Sequence, residues 1–407
     1  MDKHTSFHML VKPTGPMCNL DCKYCFYTEK EAYYPKGHSF QMSDDSLESY
    51  ISQYIASQDT DEIVFAWQGG EPTLIGLDFY RKAVSFQKKY ADGKRITNTI
   101  QTNGTLLTDS WCEFFSEYQF LVGLSLDGPE HIHNRYRIDR GGKPTFELVM
   151  KGLSLLKKHN VEHNILACVT NYSSYRPLEI YHFFKQHDIQ YIQFIPIVER
   201  EMNEGAKELS LRHATPPSLE NEELQKVTAW TVEREMYGEF LIHIFNEWIR
   251  NDVGSVYIMN FEWALASWMG IPSPICIFSE ECGRAVAMEH TGDVYSCDHF
   301  VYPDYRLGNI ADGLFNLVNS SAQHDFGRKK QDSLPSVCRN CEVRFACHGE
   351  CPKNRFPVLD QNEPGLNYLC ASYKNYFKHI DPYMKIMKQL ILDGLPASNV
   401  KEMLNSF

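Results

Sequence analysis

The sequence predicts an α/β chain: a partial (β/α)6 barrel followed by a small cysteine-rich domain. Three features predict it. From residue 1 to about 200, short apolar runs alternate with amphipathic helical stretches. Every unusual polar motif in that span follows the carboxyl end of an apolar run. After residue 275, cysteines and turns set the rhythm in place of long apolar segments. With 407 residues, 43% apolar and 23% charged, the chain can bury an ordinary core and is not disordered. At roughly 150 residues per domain, two or three domains are expected.

The elements follow in order. Candidate strands are Phe7–Lys12, Ile63–Trp67, Arg95–Gln101, Phe120–Leu126, Asn164–Thr170 and Tyr191–Ile197. Candidate helices run near 43–58, 78–90, 108–118, 145–159 and 175–187. The second helix puts Phe79, Ala83, Phe86 and Tyr90 on one face, and the fourth does the same with Phe146, Val149, Met150, Leu153 and Leu156. Strands alternating with helices of this length mean βαβ units and a parallel sheet. Six units are too few to close an eightfold barrel, which leaves a partial one. Residues 201–225 are polar, acidic and turn-rich, with Pro216–Pro217, and are expected to form a surface connection. A helical stretch near 228–251 and an aromatic segment around Phe261–Trp268 come next. The expected organisation is a barrel over 1–225, a helical connection over 226–275, and a cysteine-rich domain with a C-terminal helix over 276–407.

Composition excludes several functions. No run of 18 apolar residues appears, so no membrane-spanning helix and no membrane partner are expected. The first residues, MDKHTSFHML, lack the apolar segment of a secretory signal, and the expected location is cytoplasmic. A net charge of -12 argues against a nucleic-acid partner, because neutralising phosphates needs clustered Lys and Arg.

The polar motifs converge. CNLDCKYCFY follows the first strand, QGGEP the second and TNGT the third. Ser125–Gly128 follows the fourth, Thr170–Asn171 the fifth and Val198–Arg200 the sixth. Active sites of such barrels lie at the carboxyl ends of the strands, so one site can draw on all of them. GGEP is not a phosphate-binding loop, since GxxxxGK[ST] is missing.

The 13 cysteines carry the chemistry. A disulfide framework is not expected in a reducing compartment. Cys112 and Cys168 stand alone and are read as buried small hydrophobes. The other eleven divide as three plus eight. Cys18-x3-Cys22-x2-Cys25 offers three thiolates in one loop. Zinc would want a fourth ligand, and none is obvious. A [4Fe–4S] cluster on three cysteines leaves one iron open, free to chelate the amino and carboxylate groups of a methionine. The second set runs Cys276-x5-Cys282-x9-Gly292-x4-Cys297, then Cys338-x2-Cys341-x5-Cys347-x3-Cys351-x18-Cys370. Eight cysteines satisfy either two zinc ribbons or two further [4Fe–4S] clusters, and spacing alone does not assign ligands. His299 and His348 lack HExxH-type spacing and take no role.

The three-cysteine loop, with Tyr24 and Phe26 flanking its last cysteine and Gly69-Gly70-Glu71-Pro72 ending the next strand, resembles the radical S-adenosylmethionine (radical SAM) enzymes. The later cysteines resemble the twin-cluster extension called SPASM. The stretches CNLDCKYCFY, FAWQGGEPTL, QTNGTL, LVGLSLDGP and YSCDHF, with RLGNI after them, resemble the anaerobic sulfatase-maturating enzymes. That likeness covers nearly the whole chain and is weakest over 201–270.

The resemblance implies a TIM-like radical SAM barrel and a SPASM domain. The implied activity is oxidation of a Cys or Ser, in a Cys/Ser-x-Pro/Ala-x-Arg motif of a nascent or unfolded sulfatase, to Cα-formylglycine by hydrogen abstraction at Cβ. The implied cofactors are three [4Fe–4S] clusters and S-adenosylmethionine, with a reducing donor such as a flavodoxin or ferredoxin. Cys18, Cys22 and Cys25 hold the radical SAM cluster in this likeness. Cys276, Cys282, Cys297 and Cys351 hold the first auxiliary cluster, and Cys338, Cys341, Cys347 and Cys370 the second. Fully ligated clusters suit electron removal. Tyr24, Gly70, Ser125, Arg137 and Val198 correspond to S-adenosylmethionine contacts, Tyr27 and Gln68 to the peptide site, and Asp298 to the general base.

Each assignment has a plainer counterpart. Arg137 could sit in a solvated basic loop, Ser125 could cap a turn, Gln68 could be a turn amide and Asp298 a structural carboxylate. Another SPASM-type enzyme, forming thioethers or cross-links, commonly carries an N-terminal peptide-recognition extension. With the first cluster cysteine at residue 18, no such extension is expected here. A non-enzymatic iron–sulfur or zinc scaffold is the third reading, and the GGEP strand end weighs against it.

Overall fold

The computed structural model describes residues 6–216, 226–356 and 363–405. Ten strands form one sheet: β1 (His8–Lys12), β2 (Glu62–Trp67), β3 (Arg95–Thr102), β4 (Phe120–Ser125), β5 (His163–Val169), β6 (Tyr191–Pro196), β7 (Tyr257–Ile258), β8 (Ala285–Glu289), β9 (Asp293–Tyr295) and β10 (Arg306–Asn309). Their order is β10-β9-β8-β1-β2-β3-β4-β5-β6-β7. The six expected strands all form, in sequence order and parallel. The sheet is nevertheless longer than six strands. β7 adds in parallel to β6, and β8 adds in parallel to the free edge of β1. β9 and β10 then continue antiparallel. The cysteine-rich region is thus stitched into the barrel sheet, which the spacing of its cysteines did not foretell.

The barrel helices are α1 (Asp44–Ala56), α2 (Leu77–Tyr90), α3 (Asp109–Glu117), α4 (Glu130–Tyr136), α5 (Phe146–Lys158) and α6 (Pro177–Gln186). Side-chain caps explain two of the starts: Ser43 accepts from the Ser46 amide and Thr108 from the Trp111 amide. α4 was not expected; it is too short for a helical period to show in sequence. The apolar stripe of α5 buries Val149, Leu153 and Leu156. Cys112 is fully buried in the core, as expected of a small apolar side chain. Trp67, at the end of β2, packs edge-on against Tyr50, Phe79 and Tyr80, while its indole N–H donates to Asn98 at 2.9 Å.

The expected connection over 201–225 is partly structured: α7 (Glu204–Glu208) lies within it, while 217–225, including Pro217, fall outside the described residues. The helix expected from 228 begins only at Met236, as α8 (Met236–Asn251). Residues 226–232 are claimed instead by the end of the barrel. The Glu201 amide donates to Lys226 O, the Thr228 amide to Glu199 O and the Val232 amide to Ile197 O. The aromatic segment forms α9 (Met259–Trp268). Among the described residues, no helix is long and apolar enough to cross a membrane.

α8 packs against the C-terminal helix Cys370–Leu392 through Gly238. Its amide donates to Ser372 Oγ at 2.7 Å, and Ser372 Oγ donates to Arg234 O at 2.6 Å. A Cβ on residue 238 would sit 2.5 Å from Ser372 O, so the helices could not remain this close. Gly238→Ala is therefore expected to cost about 1–3 kcal/mol in denaturant unfolding, the usual range for overpacking. An unchanged midpoint would show that the two helices are not held by this contact.

Candidate active site

The carboxyl ends of β1 to β6 surround a cavity of about 260 Å³. Its wall includes Cys18, Cys22, Tyr24, Cys25, Tyr27, Gln68, Gly70, Ser125, Arg137 and Asp298. Nine residues expected at the site on separate barrel motifs, and one from the cysteine-rich region, thus share one space. Val198 is the exception. Its side chain is buried in the main core and its carbonyl accepts from Lys353 Nζ at 2.9 Å, while Ile195 and Ile197 form the wall there.

Glycines fit the cysteine loop onto the second strand end. The Gly70 amide donates to Gly15 O at 2.9 Å and the Glu71 amide to Met17 O at 2.8 Å. A Cβ on Gly70 would lie 2.0 Å from Met17 O, so only glycine allows this approach. Glu71 is fully buried and works as a strut. Its carboxylate accepts from the Thr73 amide, Thr73 Oγ1, Thr102 Oγ1 and the Asn103 amide at 2.6–3.0 Å. Burial pushes its acid up, against the pull of those donors. Asn103 passes the connection on, donating to Asn19 Oδ1 at 2.9 Å and lying 3.8 Å from Cys18 Sγ.

Asp127, within the SLDG stretch, organises the opposite wall and was missed by sequence reasoning. Its Oδ2 accepts from Tyr24 Oη at 2.6 Å and from Arg137 Nε at 3.0 Å, and its Oδ1 accepts from the Cys168 amide at 2.9 Å. Arg137 is therefore not a solvated loop residue: it is 8% exposed and lies over the Tyr24 ring. α4, which ends just before it, delivers it there. Cys168 also departs from expectation. It faces the cavity 3.5 Å from Arg137 Nη2, and burial pushes its thiol up to about 12. Ser125 Oγ accepts from Gln101 Nε2 at 2.9 Å. Gln68 Oε1 is buried with no hydrogen-bond partner, an acceptor left over for a ligand N–H.

At the mouth, Asp298 ion-pairs with Lys12 Nζ at 2.5 Å. Lys12 ends β1, is 1% exposed, and lies 3.6 Å over the centre of the Tyr27 ring. Burial pushes Asp298 up, but Lys12, with help from His299 and Lys353, outweighs it and the carboxyl is held below its ordinary value. The Tyr27 hydroxyl turns away from the cavity and donates to Glu289 Oε1 at 2.5 Å. His299 has its ring edge-on to Phe26 and its Nδ1 3.6 Å from Cys351 Sγ.

All 13 cysteines are free thiols. Burial and the nearby Glu71 push Cys18 up to about 12, and Cys22 is raised by burial as well. Each feels the charge of Cys25. The later eight form two neighbourhoods. Cys297 feels Cys276 and Cys351, and Cys351 feels Cys282 and Cys276. Separately, Cys338 feels Cys370 and Cys341, and Cys347 feels Cys370 and Cys338. The interleaved grouping implied by resemblance has the same membership. Such packed, desolvated thiols become thiolates only beside compensating positive charge, which the irons of a cluster supply. Among the described residues no three His, Cys, Asp or Glu side chains close around a single ion. A cubane instead spreads its thiolates over separate irons.

Comparison with known proteins agrees with this geometry. The family model for the radical SAM superfamily matches residues 13–182, and that for an iron–sulfur cluster-binding domain, SPASM, matches 276–342. The serine-type anaerobic sulfatase-maturating enzyme of Bacteroides thetaiotaomicron is 47% identical, covering 98% of this chain and 95% of that protein. The cysteine-type enzyme of Clostridium novyi is 33% identical over 95% of this chain and 98% of its own. The solved structure of native anSMEcpe with bound AdoMet and Cp18Cys peptide superposes with a TM-score of 0.81 at 33% identity, covering 95% of this chain and 100% of that one. The chain therefore belongs to the anaerobic sulfatase-maturating enzymes, radical SAM enzymes that carry a SPASM iron–sulfur domain.

Proposed function

We propose that this chain oxidises a Ser or Cys of an unfolded or nascent sulfatase, within a Cys/Ser-x-Pro/Ala-x-Arg motif, to Cα-formylglycine. One observation carries the reading: a single cavity holds the three-cysteine loop at one side and a buried carboxylate–lysine pair, next to the second cysteine group, at the other. Cys18, Cys22 and Cys25 would hold the radical SAM cluster. Cys276, Cys282, Cys297 and Cys351 would hold one auxiliary cluster, and Cys338, Cys341, Cys347 and Cys370 the other. With these clusters and S-adenosylmethionine bound, the site gains a hydrogen-atom acceptor for an unactivated Cβ and a sink for one electron.

The chain's own residues do the rest. Gly70 lets the cysteine loop close onto the second strand end and lines the cavity where the methionine end of S-adenosylmethionine would lie, and Arg137, Tyr24 and Ser125 line the far wall. Val198 contributes no side chain to that wall, so any contact it makes is through backbone. Gln68 Oε1 is free to accept a peptide N–H. Tyr27 supports the peptide with its ring, because its hydroxyl is committed to Glu289. Serine becomes aldehyde by losing a hydrogen atom, a proton and an electron. Asp298 receives the proton, and Lys12 keeps it ionised and ready at neutral pH.

Greater identity to a serine-type than to a cysteine-type relative supports serine as the native target. Anaerobically reconstituted protein should bind about 12 iron and 12 sulfide. Given S-adenosylmethionine and a reductant such as reduced flavodoxin, it should convert both Ser-x-Pro-x-Arg and Cys-x-Pro-x-Arg peptides to aldehyde, read by mass. Stoichiometric zinc with about four iron would overturn the auxiliary clusters, and no aldehyde from either peptide would overturn the substrate class.

Asp298→Asn keeps volume and removes basicity. It should retain its iron and still form 5′-deoxyadenosine, while aldehyde falls at least about 10²-fold, the lower range for losing a general base. Unchanged aldehyde per deoxyadenosine would make Asp298 structural.

Lys12→Met tests the pair. In the wild type Asp298 is held below its ordinary value, so its ion pair adds stability above the ordinary carboxylate range, lost only as pH falls through that depressed value. Without Lys12, burial is opposed only by His299 and Lys353, and the carboxyl rises. The variant should lose about 3–5 kcal/mol of stability at neutral pH. Its aldehyde yield per deoxyadenosine should acquire an acid limb at a higher pH than the wild type. An identical pH profile would separate Lys12 from the proton step.

A further inference from the structure

The helix Ser321–Asp332 carries a charge that nothing above uses. Lys330, on its last turn, is 1% exposed. Its three N–H donors are all taken by backbone carbonyls of the turn that carries Cys276. Nζ donates to Cys276 O at 2.6 Å, to Ile277 O at 3.0 Å and to Ser279 O. The same helix holds the next cysteine, since the Cys282 amide donates to Gly327 O at 3.1 Å and a Cβ on Gly327 would lie 2.8 Å from Cys282 O. Among the described residues no carboxylate ion-pairs with Lys330. Glu350 feels its charge but is held by Asn354 and Asn367.

A buried cation without a carboxylate needs another anion. The groups that feel Lys330 most are the thiols of Cys282, Cys351 and Cys276, all from one of the two neighbourhoods. Arg355 is different. It clamps Gly349 O, Lys330 O and Glu350 O, and its charge is felt by Cys338 as well as Cys351 and Cys282, so it acts on both groups. Reduction adds a negative charge to a cluster, and net charge, hydrogen bonding and burial set its potential. A positive charge nearer one group raises that group's potential more than the other's.

We propose that Lys330 is a positioning residue for electron removal: it fixes the Cys276 turn and holds the Cys276/Cys282/Cys297/Cys351 cluster at a higher reduction potential than the Cys338/Cys341/Cys347/Cys370 cluster. This rests on the cluster assignment proposed above. Its consequence is that the stronger electron acceptor lies on the cysteine group next to Asp298, where the substrate proton leaves.

The test is an EPR-monitored redox titration of the anaerobically reconstituted full chain, with no substrate present. In Lys330→Met with full iron, the higher auxiliary couple should shift downward so that its reduced-to-oxidised ratio at a fixed potential falls at least tenfold, about 59 mV for one electron. The lower couple should move less than threefold, and Lys330→Arg should restore the wild-type value. Full iron with unmoved potentials overturns the proposal. If Lys330→Met fails to hold iron, the wild type decides. Cys276→Ser alters the signal of one auxiliary cluster, and that cluster must be the one of higher potential. Equal or reversed order overturns the proposal. A wild-type chain with only about four iron would instead overturn the cluster assignment, and with it this role.

Discussion

The parallel pairing of β8 with β1 is the constraint on which the rest of the site depends. It aligns Lys12 with Glu289, residues far apart in sequence, at the carboxyl end of the barrel's first strand. Successive strand residues face opposite sides, so a slip of one residue would turn Lys12 or Glu289 out of the mouth. The chain after β8 has little freedom. Gly292 turns it with a positive φ, where a Cβ would meet Ile310 at 2.9 Å, and β9 carries it back to Cys297 and Asp298. Asp298 reaches Lys12 because this hairpin hangs from the same strand that leads into the first cysteine loop. Gln53 of α1 fastens the arrangement from behind, donating to Ile310 O at 3.1 Å and accepting from the Leu314 amide at 2.8 Å.

The site gathers buried charges, and those around the cavity are answered locally. Arg137 has Asp127, Lys12 has Asp298, and the Glu289 carboxylate has the Tyr27 hydroxyl. Glu71 has no cation and is held by four donors instead. Buried pairs of this kind contribute little net stability, but breaking one leaves a bare charge. Their value is positional. A guanidinium braced by Asp127 and Tyr24 cannot swing out of the wall, and a carboxylate clamped by Lys12 keeps one protonation state across the physiological range.

Much of this was legible before the fold was seen. All six barrel strands form within one residue of the expected bounds at either end; five of them end within three residues of a Gly, Asn or Asp. The cysteine spacing marked out the residues that carry the site, and only the resemblance offered a division of the later eight. What stayed hidden has a common cause: it depends on partners distant in sequence. A lysine ending a strand is ordinarily solvated, and nothing near Lys12 in sequence signals Asp298. Asp127 looks like a turn residue until Arg137 and Tyr24 meet it. Cys168 sits in an apolar run, and only the barrel's curvature shows that its side faces the cavity. β7, of two residues, is too short to declare itself, β8 is as long as β1 but lies among the cysteines, and 226–232 lost its helix to backbone bonds with residues after β6.

The adjacency of Cys297 and Asp298 gives the site its chemical logic. Cys297 caps the short turn Asp298–Phe300, so one rigid segment presents a thiol toward Cys276 and Cys351 and a carboxylate toward the cavity. Under the proposed roles, a base and an electron acceptor on separate loops could drift apart by an ångström, and transfers that must occur together are sensitive to such errors. Placed on consecutive residues, they cannot. His299 extends the same turn, its ring edge-on to Phe26 beside Cys25 and its Nδ1 near Cys351. The turn therefore reaches Cys351 on one side and, through Phe26, the first cysteine loop on the other. The pairing of β8 with β1, remote from any reacting atom, is what holds that turn at the mouth. The cysteine-rich domain thereby completes the barrel's site, contributing Asp298 to the wall of its cavity.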